Sequence, residues 1–299
     1  EFNREQFLAQ ALYWANQSTH FSLHLNNGIQ YPYNGFYEIL AVGAKTKICM
    51  EPGQAFNSLR KFHQNNWLFG YLGYDLKNEL EKLESQNMDH VQFSALNFFE
   101  PEHLIFFEES GIRIESDQNN LLELIQSQEN SVIPSQFTQP EASISREEYI
   151  QKVEKLRNHI EEGDCYEINF CQEFHGEITV WNPVTTFLEL NRISPKPFAC
   201  FQKFGSHYIL SASPERFIKR EGTKIISQPI KGTRPRSAST KEDEQLKASL
   251  RSSEKEIAEN MMIVDLVRND LSRTAKTGTV KVEEMFGIYS FEQVHQMIS

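Results

Sequence analysis

Lys231 lies in the run Gln228-Pro229-Ile230-Lys231-Gly232-Thr233-Arg234, directly after a short apolar stretch, Lys224 to Ser227. Proline fixes φ and glycine frees it, so the backbone is steered on both sides of the lysine. A neutral amine held at a strand end can serve as a nucleophile or a base. A solvated lysine on a surface turn is the commoner use of the residue type. Glu256 and Glu259 are three apart in a helical pattern, so their carboxylates share one face. Two hard oxygen donors suit Mg²⁺, which takes one or two protein carboxylates together with water and an anionic substrate. Ser253 and Glu256 also read as a capping box, which by itself accounts for a glutamate there. Ser213-Pro214-Glu215-Arg216 makes a corner between two apolar stretches. A partly desolvated glutamate at a corner can be a general acid or base, although turns commonly carry such residues as solvated groups. His295 follows Phe291 and Val294, and a lone histidine beside apolar residues is more often a satisfied core group than a catalyst.

These residues need elements to place them. Ser145 and Glu148 form a capping box before a helix with Tyr149, Val153, Leu156 and Ile160 on one face, and Gly163 stops it. Cys165 to Phe174 alternates Tyr166, Ile168, Phe170 and Phe174 with Glu167, Asn169 and Glu173, which predicts a strand. Further strands are expected over Phe198 to Phe204, His207 to Ser211, Arg216 to Lys219 and Lys224 to Ser227. Helices are expected over Lys241 to Leu250 and Ser253 to Asn269. Upstream, Asn3 and Gln6 cap a helix whose stripe is Phe7, Leu8, Leu12 and Ala15. Phe21 to Leu25 reads as a strand ending in the hairpin-type turn Asn26-Asn27-Gly28. Phe36 to Val42 and Trp67 to Tyr74 read as buried strands, with Gly70 and Gly73 marking close backbone approach. Leu104 to Phe107 and Ile112 to Ile114 read as a hairpin. Residues 127–143 are polar, carry Pro134 and Pro140, and read as a linker between an N-terminal part, 1–126, and a catalytic part, 144–299. Grouped strands with helices between the groups predict an α+β fold with antiparallel pairing.

Composition narrows the function. A formal net charge of -11 disfavours sequence-independent binding to nucleic acid, yet leaves room for a local site that takes a small anion. The four cysteines form no C-x-x-C pair, so cysteine spacing supports neither a zinc nor a redox motif and suits a reducing, cytoplasmic setting. No apolar run is long enough to span a bilayer, and the sequence opens without a signal-peptide pattern. No G-x-G-x-x-G or P-loop occurs.

Four motifs in order carry a resemblance. Gly163-Asp164-Cys165-Tyr166-Glu167-Ile168-Asn169, Ser211-Ala212-Ser213-Pro214-Glu215-Arg216-Phe217, Pro229-Ile230-Lys231-Gly232-Thr233-Arg234, and Glu256-Ile257-Ala258-Glu259-Asn260 through Asp265-Leu266-Val267-Arg268-Asn269-Asp270 together resemble the chorismate-utilising enzymes. The resemblance runs from about residue 144 onward and implies two large antiparallel sheets with helices outside. Within the family the similarity is greatest to the branch that aminates chorismate at C4, a step toward 4-aminobenzoate and folate. Anthranilate-forming relatives carry alanine where Lys231 stands. Isochorismate- and salicylate-forming ones place a water-activating lysine at the position matching Glu167. The resemblance implies Lys231 as covalent nucleophile, Glu215 as proton donor to the departing hydroxyl and His295 as its assistant. It further implies Gly232 and Thr233 against the substrate, and Glu256 and Glu259 on Mg²⁺. The implied substrates are chorismate and ammonia, with a glutaminase subunit as partner. An anthranilate-forming component, or an inactive chorismate-binding subunit, is the alternative. The family pattern continues past residue 299 with a second pair of metal-binding glutamates, so a C-terminal part is expected to be missing.

Overall fold

The computed structural model describes residues 3–84, 87–129 and 135–299. The cleanest alternation of apolar side chains falls on a six-stranded antiparallel sheet. Its order is β13 (His207–Ser213), β12 (Phe198–Phe204), β1 (His20–Leu25), β2 (Ile39–Val42), β6 (His103–Glu108) and β7 (Gly111–Glu115). Successive strand side chains point to opposite faces. Phe21, Leu23, Leu25, Leu40, Val42, Ile105 and Phe107 accordingly pack on one face, under α1 (Arg4–Ala15), α4 (Leu121–Gln126) and α6 (Pro183–Ile193). Ile39, Ala41, Leu104 and Phe106 pack on the other, against Phe69 and Phe99 of a three-stranded sheet. That sheet runs β3 (Thr46–Met50), β5 (Leu96–Glu100), β4 (Phe69–Leu72). At Gly70 any Cβ would collide with the Asn97 carbonyl, so the close approach expected of this glycine is present. α2 (Ala55–Phe62) packs on this sheet through Ala55, Phe56 and Leu59, and α3 (Lys77–Leu80) follows β4.

Local signals form as their chemistry dictates. Asn3 accepts from the Gln6 amide at 3.0 Å and Ser145 from the Glu148 amide at 3.1 Å. The helix so capped, α5 (Arg146–Glu162), ends at Gly163 with φ 84°. β6 and β7 make the expected hairpin, closing at Glu108↔Gly111.

Three expectations change. Asn27 and Gly28 do take positive φ, but no tight hairpin follows. The chain runs through residues 29–38, tied by the Asn26 amide to the Phe36 carbonyl at 2.9 Å, before β2 begins. Over 165–174 only β10 (Phe174–His175) is a strand, paired with β9 (Glu141–Ala142). Alternation needs only an extended backbone, whereas a strand needs a neighbour, and among the described residues 165–173 have none in a ladder. β8 (Gln136–Phe137) pairs with β11 (Ile178–Val180), so 127–143 supplies strands to two short ladders. Its residues 130–134 lie outside the described ones. The large sheet draws strands from both sides of this segment, with β1 beside β12 from His20↔Phe204 to Leu25↔Ala199.

β14 (Arg216–Glu221) and β15 (Lys224–Gln228) form a two-stranded ladder. β16 (Ile230–Pro235) pairs with β18 (Val294–Ile298), and β18 with β17 (Gly287–Ser290). α7 (Thr240–Arg251) and α8 (Glu254–Ser272) pack against β16. The α+β class with antiparallel pairing holds: one sheet has six strands, and the other ladders have three or two. Among the described residues no helix is long and apolar enough to cross a membrane.

Candidate active site

Lys231 is the second residue of β16, and its surroundings come from an irregularity in that strand. Ile230 pairs with Ile298 and Thr233 with Gln296, so Lys231 and Gly232 together face Met297. One extra residue on one strand is a β-bulge, which re-aims side chains. Gly232 has φ 96°, and a Cβ there would stand 3.2 Å from both Glu256 Oε2 and Leu250 Cδ1. The glycine thus permits the bend and lets the backbone close on Glu256. The Lys231 amine is 2.6 Å from Glu167 Oε1 and donates to Asn169 Oδ1 at 3.1 Å. Glu167 and Asn169 are two apart in an irregular stretch, and both side chains reach the amine. The Lys231 and Glu167 side chains are 24% and 27% exposed, shielded enough for the pair to matter and open enough for substrate.

Glu215 comes to the same strand from the β13–β14 corner. Its Oε1 accepts from the Ile230 amide at 3.0 Å, one residue before the lysine. Ser213 Oγ accepts from the Glu215 amide at 3.3 Å and fixes the corner. Tyr31 lies in the same field. Burial pushes its hydroxyl pKa up, the Arg216 charge opposes the shift, and the Glu215 charge adds to it.

Glu256 is buried at the start of α8, where Arg234 Nη1 donates to its Oε1 at 3.0 Å. Glu259, one turn on, is more open and pairs with Lys255 at 3.4 Å. An all-carboxylate donor set on one helix face fits a hard divalent cation such as Mg²⁺. Thr233 is exposed beside Gly232.

His295 lies on β18, where it pairs with Arg234 of β16. It is 1% exposed, with Nδ1 against Ser290 Oγ at 2.8 Å and Nε2 against Asp243 Oδ1 at 3.0 Å. The Arg236 guanidinium, the Ser237 amide and His295 hold the Asp243 carboxyl well below the usual carboxylate range. Both ring nitrogens are engaged within the fold, and on the ladder His295 faces Arg234, the residue that holds Glu256.

Four residues were not read from the sequence as parts of the site. Asn169 steadies the amine, Arg234 holds Glu256, and Asp243 engages His295. Asn260 is fully buried, and its amide donates to the Lys231 and Met297 carbonyls, each at 3.3 Å. Its signal was an uncharged amide directly after Glu259, one turn from Glu256. A cavity of about 620 Å³ opens between β15 and α8, with Ile226, Gln228, Pro229, Val264, Arg268 and Ser299 in its lining. Lys231, Glu215, Glu256 and Glu259 do not line it, so the clustered side chains carry the candidate chemistry.

Residues 10–299 match the family described as chorismate binding enzyme. The chain belongs to that family. Aminodeoxychorismate synthase component 1 of Escherichia coli strain K12 is 40% identical over 161 residues, 53% of this chain and 35% of that protein. The anthranilate synthase component I-like protein of Synechocystis is 32% identical over 251 residues, 80% of this chain and 50% of that protein. The menaquinone-specific isochorismate synthase of Escherichia coli shares the fold, with TM-score 0.71 and 15% identity over 99% of this chain and 66% of that one. The matches thus span half or less of these two curated relatives. Chorismate binding enzymes of one fold carry different reaction names, so the reaction must be argued from the site.

Proposed function

We propose that this chain carries the amination chemistry of an aminodeoxychorismate synthase component I, forming 4-amino-4-deoxychorismate and water from chorismate and ammonia. The observation behind the reading is the Lys231 amine held at 2.6 Å from Glu167, on a strand whose first amide binds Glu215. Lys231 gives its proton to Glu167 and adds to C2 of the ring. The double bonds shift, and the C4 hydroxyl leaves as water with a proton from Glu215. Ammonia adds at C4, the double bonds shift back, and the amine is expelled. The new C4 ammonium returns a proton to Glu215, and Glu167 returns its proton to Lys231. Glu256 and Glu259 are the residues that would hold Mg²⁺, whose part is to neutralise a chorismate carboxylate and orient the ring. Gly232 and Thr233 would border the substrate. His295 acts as a support for β18 through Asp243 and Ser290.

Free ammonia is scarce near neutral pH, so we assign its delivery to a separate glutaminase subunit, in keeping with the name component 1 of the E. coli relative. Formation of anthranilate is the second reading, favoured by the match to the Synechocystis protein over 80% of this chain. Chorismate, an ammonium salt and Mg²⁺ supplied to the purified chain test both. The expected product is 4-amino-4-deoxychorismate, and Lys231→Ala reduces its formation to background. Unchanged turnover in Lys231→Ala removes the covalent role, and anthranilate as product moves the assignment to the second reading.

A further inference from the structure

We infer that His90, Glu173 and His175 form a binding site for a borderline divalent metal ion of the Zn²⁺ type. One ligand atom from each residue can be chosen so that all lie within 4.8 Å of one another. The His90 and His175 rings lie face to face, with centroids 4.5 Å apart and planes 8° apart. His90 Nε2 is 3.9 Å from Glu173 Oε2. To close on one ion the donors must draw together and the parallel rings must turn, and His90, exposed on a loop, has the room to do so.

Each donor is placed by the fold. Glu173 and His175 are two apart at β10, so their side chains share a face, while Phe174 points away and is 66% exposed. Ser143 donates its hydroxyl to Glu173 Oε2 at 3.0 Å, the kind of outer contact that orients a ligating carboxylate. His90 is carried on a loop anchored to β13, where His207 Nε2 meets the Val91 carbonyl at 3.0 Å. His175 Nδ1 is shielded from solvent and has no hydrogen-bond partner among the described residues. Such a nitrogen otherwise bears an uncompensated desolvation cost.

The surroundings favour a cation. Glu173 also lines a cavity of about 800 Å³ whose wall carries Glu51, Asp75, Glu84 and Asp89. The one cationic side chain in that lining, Lys77, is paired with Asp75 at 2.8 Å. Two imidazoles and one carboxylate suit Zn²⁺ or a similar first-row ion, with remaining positions left to water, whereas Mg²⁺ takes oxygen ligands. This donor set differs from that of Glu256 and Glu259. Cysteine spacing holds no zinc motif; the histidines reach one another only through the fold. An ion here joins the loop at residue 90 to β10, far along the chain.

The test uses the purified chain stripped with a chelator and titrated with Zn²⁺ by calorimetry, then with Co²⁺ by visible absorption. One equivalent of Zn²⁺ binds, the Co²⁺ spectrum shows nitrogen ligation, and millimolar Mg²⁺ does not displace the ion. His90→Ala and His175→Ala each weaken binding by about tenfold or more, while circular dichroism of the surface-loop variant His90→Ala stays unchanged. His159→Ala, in a second exposed group with Glu162 and Asp164, leaves binding as it was. No saturable Zn²⁺ binding, binding unaffected by either histidine variant, or loss of binding in His159→Ala overturns the assignment.

Discussion

The proposed reaction turns on a proton passing between Lys231 and Glu167 across their 2.6 Å contact. Glu167→Gln keeps a hydrogen-bond acceptor beside the amine but removes the acceptor for its proton. Steady-state kinetics with ammonium should show turnover lower by roughly 10²–10⁴, the usual range for a lost general base, with an almost unchanged melting temperature. Turnover at the original level would deny Glu167 that part. Lys231, Glu215 and the Glu256/Glu259 pair were legible because residue type, spacing and turn chemistry are local facts. The partner of His295 was not legible for the opposite reason: Asp243, against its Nε2, is 52 residues away in sequence. Asn169 was visible only as a neighbour of Glu167, since nothing in the sequence shows that this stretch meets β16.

The elements around the site are joined by few side chains, and Asn260 is the chief of them. Its buried amide links α8 to β16 through the Lys231 carbonyl and to β18 through the Met297 carbonyl, while its Oδ1 accepts from Ser299 Oγ at 2.6 Å. Asn260→Ala strips these bonds, of which the one to the Met297 carbonyl is buried, at a cost of about 1–3 kcal/mol for an unsatisfied buried group, while Ser299 Oγ keeps the Phe286 amide. Urea denaturation checks this: a midpoint within error of the parent protein would show that the helix is held elsewhere. Helices and the β6–β7 hairpin were legible at this scale because caps, glycine stops and tight turns act within a few residues. The strand expected over 165–174 was not, because pairing is decided by a distant partner. The same holds for 127–143, where a loop-like composition hides two short strands completed by residues beyond 170.

Across the whole molecule, acid should act first on the large sheet. Burial lowers the pKa of His20, His24 and His103, and it takes His24 down to about 4 from an ordinary 6.5. His24 lies between Phe36 and Phe69, with ring centroids at 4.6 and 5.8 Å. Between those two values the unfolded chain binds more protons than the folded one, so stability rises with pH there and is lost as pH falls from about 6.5 toward 4. His24 alone contributes on the order of 3 kcal/mol to that loss. Chemical denaturation at stepped pH should trace this slope, and a flat profile across the window would contradict it. The sheet's strand order also sets a schedule. β1, buried toward both layers and apolar on the face of Phe21, Leu23 and Leu25, cannot pair with β12 until Phe204 has been made, well over a hundred residues after Leu25. At a synthesis rate of about 5–20 residues per second, that edge stands open for roughly ten to forty seconds. An exposed apolar edge invites pairing with another chain. The nascent protein therefore passes through an interval in which neighbouring nascent chains compete with β12 for that edge, before the finished fold can close it.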